Sequence, residues 1–348
     1  MRSPALVVPA VLVAAVLAAG PATAEPGTAR FETLCTPSDP GLEELSGLTV
    51  IDGVTYAIGD GGTDHRLAVL DGQCAVSRWL DVPVDPFDVE DLGSYSGDLW
   101  LSDTGDNQRL RPTVALTRMT PSDGQGELYR LVYPDGPHDA ETLLIEPGGR
   151  PVIITKDATG VSGIYVPEGD RSVSELASPG PTPLEKVGEL AFTPTTTPGG
   201  PPIIVGSILA TGGAVSIDGS VAAVRTYNDV YLFPIEDGDV VEALTGEPVV
   251  VAVPDQPQGE ALAFDADGNL LLASEAAGGP MPPILVLEDA TSLVRSDSAA
   301  VGEPNTSEAT TELEGPSDSR WTLGALAVAA VLILGSIAYA VRSALRRR

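Results

Sequence analysis

Asp103-Thr104-Gly105-Asp106-Asn107 is the densest run of oxygen donors in the sequence. Hard cations such as Ca²⁺ take about six to eight oxygens from carboxylates, amides and carbonyls. Asp103, Asp106, Asn107 and nearby Glu90 form a candidate Ca²⁺ set. The order is not that of an EF-hand loop, and an Asx-turn closing a strand would use the same residues. His138-Asp139-Ala140-Glu141 is a second cluster. His138 could orient on Asp139 and act as an acid/base, or simply close a turn where a strand begins. His138, Glu141 and Lys156 are the candidates for any catalytic role. The two histidines, His65 and His138, and the two cysteines exclude a three-His or Cys-based zinc site. No G-x-S-x-G, S-x-x-K or H-E-x-x-H motif occurs. Gly59-Asp60-Gly61-Gly62 is glycine-rich, but no βαβ pattern follows it to make a phosphate cradle.

These residues sit in a recurring pattern. A small or acidic residue, a spacer and an aliphatic lead through a turn into an apolar strand that ends on a polar or charged residue. The copies start at Ser46, Glu90, Glu141, Gly213 and Glu260, and end at Asp60, Asp103, Lys156, Arg225 and Glu275. Turns such as Asp52-Gly53 and Asp267-Gly268 suit tight hairpins, because both residues accept positive φ. No convincing amphipathic helix lies between residues 30 and 290, and short β-branched runs alternate with Gly and Pro instead. A period near 45 residues with about four strands per repeat predicts an all-β fold, a single β-propeller. Five blades are expected, with six as the alternative. LAVLDG, ALTRM, GIYVP, VYLFP and ILVLE read as third strands. WLDVPV, LYRLVYP, KVGELAF and EPVVVAV read as fourth strands. The N-terminal run from Arg30 to Leu34 would complete the last blade and close the ring. The longest interval between copies leaves room for a disordered insertion around residues 193–200, or for a sixth blade.

Inner strands line a propeller's channel, so equivalent positions should form rings. Glu90, Glu141 and Glu260 would share one level. Asp60, Asp103, Lys156, Arg225 and Glu275 would share another. Unpaired burial of such charges is expensive, so they need cations, mutual pairing or water. Either they hold the blades in register, or Asp60, Glu90, Glu141, Lys156, Arg225, Glu260 and Glu275 bind a ligand at the channel mouth.

LEELSGLTVIDGVTYAIGDGG and QGEALAFDADGNLLLASE resemble the first and last segments of the secreted phytase-like propeller proteins, described as having esterase-like activity of phytase. DVEDLG, LWLSDTGDN, HDAETLL and ITKD, followed by an Arg-Thr-Tyr strand, are similar to secreted propellers of high-GC bacteria. The bias of 17 Arg to 2 Lys fits such a genome. The resemblance covers roughly residues 40–288. It implies a propeller and, as an activity, hydrolysis of phosphoesters or esters. A phytase would want several cations around its substrate phosphates. Lys156, Arg225, Arg109 and Arg111 are the few on offer.

The ends of the chain say where it lives. Arg2, an apolar stretch and Ala22-Thr23-Ala24 make residues 1–24 a signal peptide. Residues 321–341 are uncharged and apolar, long enough as a helix for a bilayer core of about 30 Å. Arg342 and Arg346–Arg348 place the 342–348 tail in the cytoplasm. The propeller, residues 25–288, is then extracellular, tethered to the membrane by that helix through an acidic flexible stalk at 289–320. Cys35 and Cys74 form an even pair in an oxidising compartment and read as one disulfide. Five of the 19 basic residues and none of the 49 acids lie in the terminal segments, so the exported part carries net charge −35. That charge excludes nucleic acid and suits a cation, a small molecule or a surface protein as partner. A binding or scaffold domain at the cell surface is the first reading. A phytase-like hydrolase, with Ca²⁺ as its cofactor, is the second.

Overall fold

The computed structural model describes residues 30–60, 64–201, 204–253 and 255–294. The expected signal peptide, most of the stalk, the 321–341 span and the basic tail lie outside the described residues. Among the described residues no helix is long and apolar enough to cross a membrane.

The chain is mostly β. Strand β1 (Phe31–Cys35) is followed by a meander of β2 (Leu45–Ile51), β3 (Val54–Gly59), β4 (Arg66–Leu70) and β5 (Val76–Asp81). The next meander is β6 (Asp91–Tyr95), β7 (Asp98–Asp103), β8 (Val114–Met119) and β9 (Gly126–Val132). Then come β10 (Ala140–Ile145), β11 (Pro151–Thr155), β12 (Val161–Pro167) and β13 (Thr182–Ala191). They are followed by β14 (Ala210–Val215), β15 (Val221–Thr226), β16 (Asp229–Pro234) and β17 (Val249–Ala252). The last are β18 (Gln258–Phe264), β19 (Leu270–Glu275) and β20 (Ile284–Leu287), with β1 pairing antiparallel to β20 to complete that sheet. A short parallel pairing of β13 with β9, Thr182 opposite Leu131, joins two meanders into one eight-stranded sheet.

Each meander's first strand packs on the next: β2 on β6, β6 on β10, β10 on β14, β14 on β18, and β18 on β2. These sheets and their closed sequence of contacts are consistent with a β-propeller. The segments read as third strands fall on β4, β8, β12, β16 and β20, and those read as fourth strands on β5, β9, β13 and β17.

Burial explains the sequence pattern. Strands β10 and β11 are buried at every position, because sheets cover both their faces. The peripheral strands β5 and β9 mix buried and exposed residues. Leu144, Ile154 and Ile164 meet Val224 and Phe233 between one pair of sheets, and Ile58 and Leu67 meet Leu92 and Leu101 between another. At the β2–β3 hairpin Asp52 and Gly53 have φ of 51° and 74°, the left-handed pair a two-residue turn requires.

Cys35 and Cys74 are disulfide-bonded, with Cα atoms 5.7 Å apart. The bond ties the end of β1 to the turn between β4 and β5. Closing a 39-residue separation is worth about 3–4 kcal/mol in the chain-entropy picture.

Three expectations need correction. The 193–200 segment is not a disordered insertion. The Thr195 and Thr197 hydroxyls donate to Asp229 at 2.5 and 2.6 Å, and Asn228 donates to the carbonyls of Thr197 and Gly199. The segment is an ordered strap, and the described residues of this interval hold no further sheet. The fourth copy of the repeat begins at Thr211, two residues before Gly213, because a register shift between Ala210 and Gly212 matches those near Ser46, Glu141 and Glu260. Residues 290–294 form a helical turn with Ala290 and Val294 buried in the core. The packed domain therefore runs at least to Val294, beyond Glu288.

Candidate functional site

The hairpin register brings the starts of β2, β6, β10, β14 and β18 to the same end of the fold as the last residues of their partner strands. Register shifts near Ser46, Glu141, Thr211 and Glu260 interrupt the ladders there, and such bulges re-aim side chains. Hydroxyls then latch neighbouring meanders together. Ser46 donates to the Glu90 carbonyl at 3.0 Å, Thr104 to the Ala140 carbonyl at 2.7 Å and Thr211 to the Gly259 carbonyl at 2.8 Å.

Two carboxylate triads result. Glu90, Asp139 and Glu141 each offer an oxygen within 4.8 Å of the others, and all three residues are buried. Asp60, Asp88 and Glu90 form a second triad of the same tightness, in which Asp60 and Asp88 are only partly buried. Glu90 belongs to both. Lys156 pairs with Glu141 Oε1, and its ammonium lies 5.2 Å from the centre of the Tyr227 ring. Asp139 Oδ1 accepts the Asp106 backbone N–H at 2.8 Å. Glu141 is 3% exposed, and its Oε2 is buried without a hydrogen-bond partner. Glu260 Oε2 is in the same position, while its Oε1 accepts from Gln258.

The electrostatics follow from burial and crowding. Burial, then Glu141 and Asp88, push the Glu90 carboxyl well up. Burial pushes up Glu141 in spite of Lys156, with Asp139 and Glu260 adding to the rise. Asp60 is raised by burial, then by Glu260 and Glu44. Asp88 is pushed up to about 6 and Glu275 to about 12, by burial and then by neighbouring acids. Burial opposes the charge of Lys156, but Glu141, Tyr227, Asp139 and Glu260 outweigh it and keep the ammonium firmly protonated. Burial and mutual repulsion thus favour the neutral carboxyls here unless positive charge is supplied to them.

Other residues singled out from sequence have different surroundings. Asp103 Oδ1 accepts from Arg111 at 2.8 Å and from the Asp88 N–H at 3.0 Å, and its Oδ2 accepts from the Phe87 N–H. Asp106 accepts the Arg111 N–H at 2.7 Å, and Asn107 is exposed. Arg111 thus ties down the 103–107 loop, and its guanidinium also stacks 4.6 Å from the Phe87 ring. Arg225 is fully buried. It donates to the Thr226, Ala261 and Ala273 carbonyls and to Gln256 Oε1, a strut between β15 and the last sheet. Burial holds its guanidinium down to about 9 against the pull of Glu260 and Asp229. His138 turns to Asp135 at 2.9 Å and Tyr165 at 3.0 Å, with Tyr133 edge-on to its ring.

Asp88 was not among the candidates and Asp139 was read only as a partner for His138, yet both belong to the triads. Their signal was present: Asp88-Val89-Glu90 and Asp139-Ala140-Glu141 place an Asp two residues before the Glu at matching repeat positions. Gly105 also matters. A Cβ there would come within 2.2 Å of Glu90 Oε1 and 2.6 Å of Asp88 Oδ2. Gly105→Ala is therefore expected to displace these two carboxylates and, should the triads hold a cation, to weaken Ca²⁺ binding at least tenfold in an isothermal titration. Losing a group that supports the ligands of a metal site typically costs about 10–100-fold in affinity.

At the opposite end the hairpin turns surround a cavity of about 530 Å³, with Ser94, Tyr95, Ser216 and Ile217 in its wall. Among the described residues no Lys or Arg lines it.

No protein-family model matches the chain, and no curated protein matches it. Among solved structures, the PQQ-bound aldose sugar dehydrogenase of Streptomyces coelicolor aligns at 11% identity and a TM-score of 0.40, over 76% of this chain and 99% of that one. Glutaminyl cyclase of Myxococcus xanthus aligns at 12% identity and a TM-score of 0.41, over 74% and 94%. A catalytically inactive virginiamycin B lyase of Staphylococcus aureus aligns at 11% and 0.39, over 75% and 89%. None of the three is phytase-like by name.

Proposed function

We propose that this chain is a membrane-anchored extracellular propeller of five blades that acts as a binding domain, with a divalent cation held at its acidic mouth. The five blades would be the five meanders, the last completed by β1. One observation carries the cation: Glu141 Oε2 is buried and unpartnered, in a carboxylate that is grouped with those of Glu90 and Asp139. An all-oxygen donor set favours a hard cation, Ca²⁺ before transition metals. The propeller's ligand would be a small molecule or surface protein meeting that mouth. The signal peptide, the 321–341 span and the cytoplasmic Arg cluster belong to the same reading, as does the exclusion of nucleic acid by charge.

Hydrolysis is the second reading. Lys156 beside a cation site is an arrangement that can hold a phosphoester, and the phytase-like resemblance points the same way. Assay of the purified chain on generic phosphoester and carboxylic-ester substrates separates the two. The binding reading expects no chelator-sensitive turnover. A Ca²⁺-dependent turnover lost in Glu141→Gln and Lys156→Met would replace it with the hydrolase. Melting tests the cation itself. At one hundred times Kd a ligand adds about 2.7 kcal/mol, which is about 5–10 °C for a domain of this size. A melting temperature indifferent to Ca²⁺ and to chelator would contradict both readings.

A further inference from the structure

We infer that the cavity at the hairpin end is a further binding site, and that it takes a small organic cation, an amine with an apolar body. It lies at the other end of the fold from the acidic triads and does not rest on the cation reading above.

Size and construction give the first reason. The cavity measures about 530 Å³, inside the range of roughly 300–1,000 Å³ that small-molecule sites occupy. The first hairpin turn of every meander contributes to its wall, from Asp52 in the first to Ala266 in the last. The wall is built by close approach. A Cβ at Gly149 would come within 2.6 Å of the Tyr95 ring, and one at Gly219 within 2.7 Å of Pro147. These two glycines seat Tyr95 and Pro147 against neighbouring turns, so the wall is formed before any ligand arrives.

Polarity gives the orientation of the ligand. Inward of the cavity, the buried side chains of Leu48, Leu92, Leu143 and Leu262 leave a space of only about 40 Å³. A molecule entering between the turns stops at this apolar floor. Val50, Ile145, Val215 and Ile217 line both spaces, so the apolar surface runs on from the floor into the wall. Ile217 is nevertheless 60% exposed. An apolar body lying on it removes that surface from water. The polar groups sit on the turns, so the apolar end of the ligand points inward and its polar end stays at the rim.

Charge gives the sign. Asp52, Glu146 and Asp218 are the charged residues of the described wall. Asp218 accepts the Ser216 and Ser220 hydroxyls, both at 2.7 Å, which fixes its carboxylate on its turn. Glu146 is paired with Arg150, but that guanidinium also meets Asp170 and Asp239, so the group as a whole stays negative. A cation is drawn to such a wall and an anion repelled. The Tyr95 ring in the same wall adds the attraction of an aromatic face for an ammonium. An amine at the rim with its apolar body on the floor satisfies size, polarity and charge together.

The test is calorimetric titration of the purified full chain with phenethylamine, phenethyl alcohol and phenylpropionate, which share a phenyl ring and differ in charge. The amine should bind once per chain, at least about tenfold tighter than the alcohol, as an ion pair and an aromatic face together supply. The carboxylate should give no measurable binding. Asp52→Asn and Asp218→Asn should each weaken the amine about two- to fivefold, the range of a solvent-exposed ion pair. Ile217→Lys, a change at an exposed side chain, should weaken the amine at least about tenfold and admit phenylpropionate. The amine should bind equally in saturating Ca²⁺ and in chelator. No amine binding, or equal binding of the three probes, overturns the inference. Amine binding untouched by Ile217→Lys overturns it too, and displacement by Ca²⁺ does so by placing the amine at the acidic triads. Melting transitions show which variants are folded, and the comparisons among probes and with Ca²⁺ need only the wild type.

Discussion

Asp91→Ala is expected to lower the stability of the domain by about 3–5 kcal/mol. Asp91 is fully buried, and its carboxylate accepts three backbone N–H groups: Leu92 at 2.8 Å, Leu143 at 2.7 Å and Gly213 at 3.2 Å. Those donors come from β6, β10 and β14, so one side chain ties three neighbouring meanders together. Removing it orphans buried N–H groups at about 1–3 kcal/mol each. Part of that is offset by no longer burying a carboxyl, whose pKa burial raises to about 8 against the pull of the same three bonds. A loss of this size lowers the melting temperature by about 10 °C in a domain of over two hundred residues. Asp91→Asn keeps one acceptor oxygen and should fall between. A change under about 0.5 kcal/mol, the range of ordinary surface sites, would mean that Asp91 does not hold the sheets together.

Lys156→Ala has the second-largest expected effect, and it depends on the solution. In chelator, removing the ammonium leaves Glu141 buried without its counter-charge, beside Glu90 and Asp139. Breaking one partner out of a buried pair typically costs about 3–5 kcal/mol. With Ca²⁺ present the deficit should shrink by at least half, because the cation supplies positive charge to the same carboxylates. Melting of wild type and Lys156→Ala, each in Ca²⁺ and in chelator, reads both effects at once. Equal deficits in the two solutions would separate Lys156 from the cation site.

The strands were legible because sheets bury β-branched runs on both faces, and Gly-containing turns punctuate them. The completion of the last sheet by the run at residues 30–34, observed as Phe31–Cys35, followed from counting: the last meander was one strand short. The Cys35–Cys74 bond followed from an even pair. The fourth repeat was misplaced by two residues because Thr211-Gly212-Gly213-Ala214 carries no side chain that marks the bulge. The 103–107 loop shows the limit of reading ligands from composition. Asp103 and Asp106 look like metal ligands in sequence, yet each accepts from Arg111, a pairing across a loop that no periodicity announces. Asp88 was overlooked, and Asp139 read only as a partner for His138, for the opposite reason. Their Asp-x-Glu spacing repeats, but only the fold shows that the two copies face each other. The strap at 193–201 reads as low-complexity Thr, Pro and Gly until Asn228 and Asp229 are seen to receive it.

The most direct measurement of the cation site is anomalous diffraction from crystals of the chain grown with Ca²⁺. A peak should stand within about 2.3–2.6 Å of carboxylate oxygens of Glu90, Asp139 and Glu141, the distance at which calcium binds oxygen. Crystals in saturating Ca²⁺ with these three carboxylates free of any peak, and calcium only on exposed surface acids, would contradict the account.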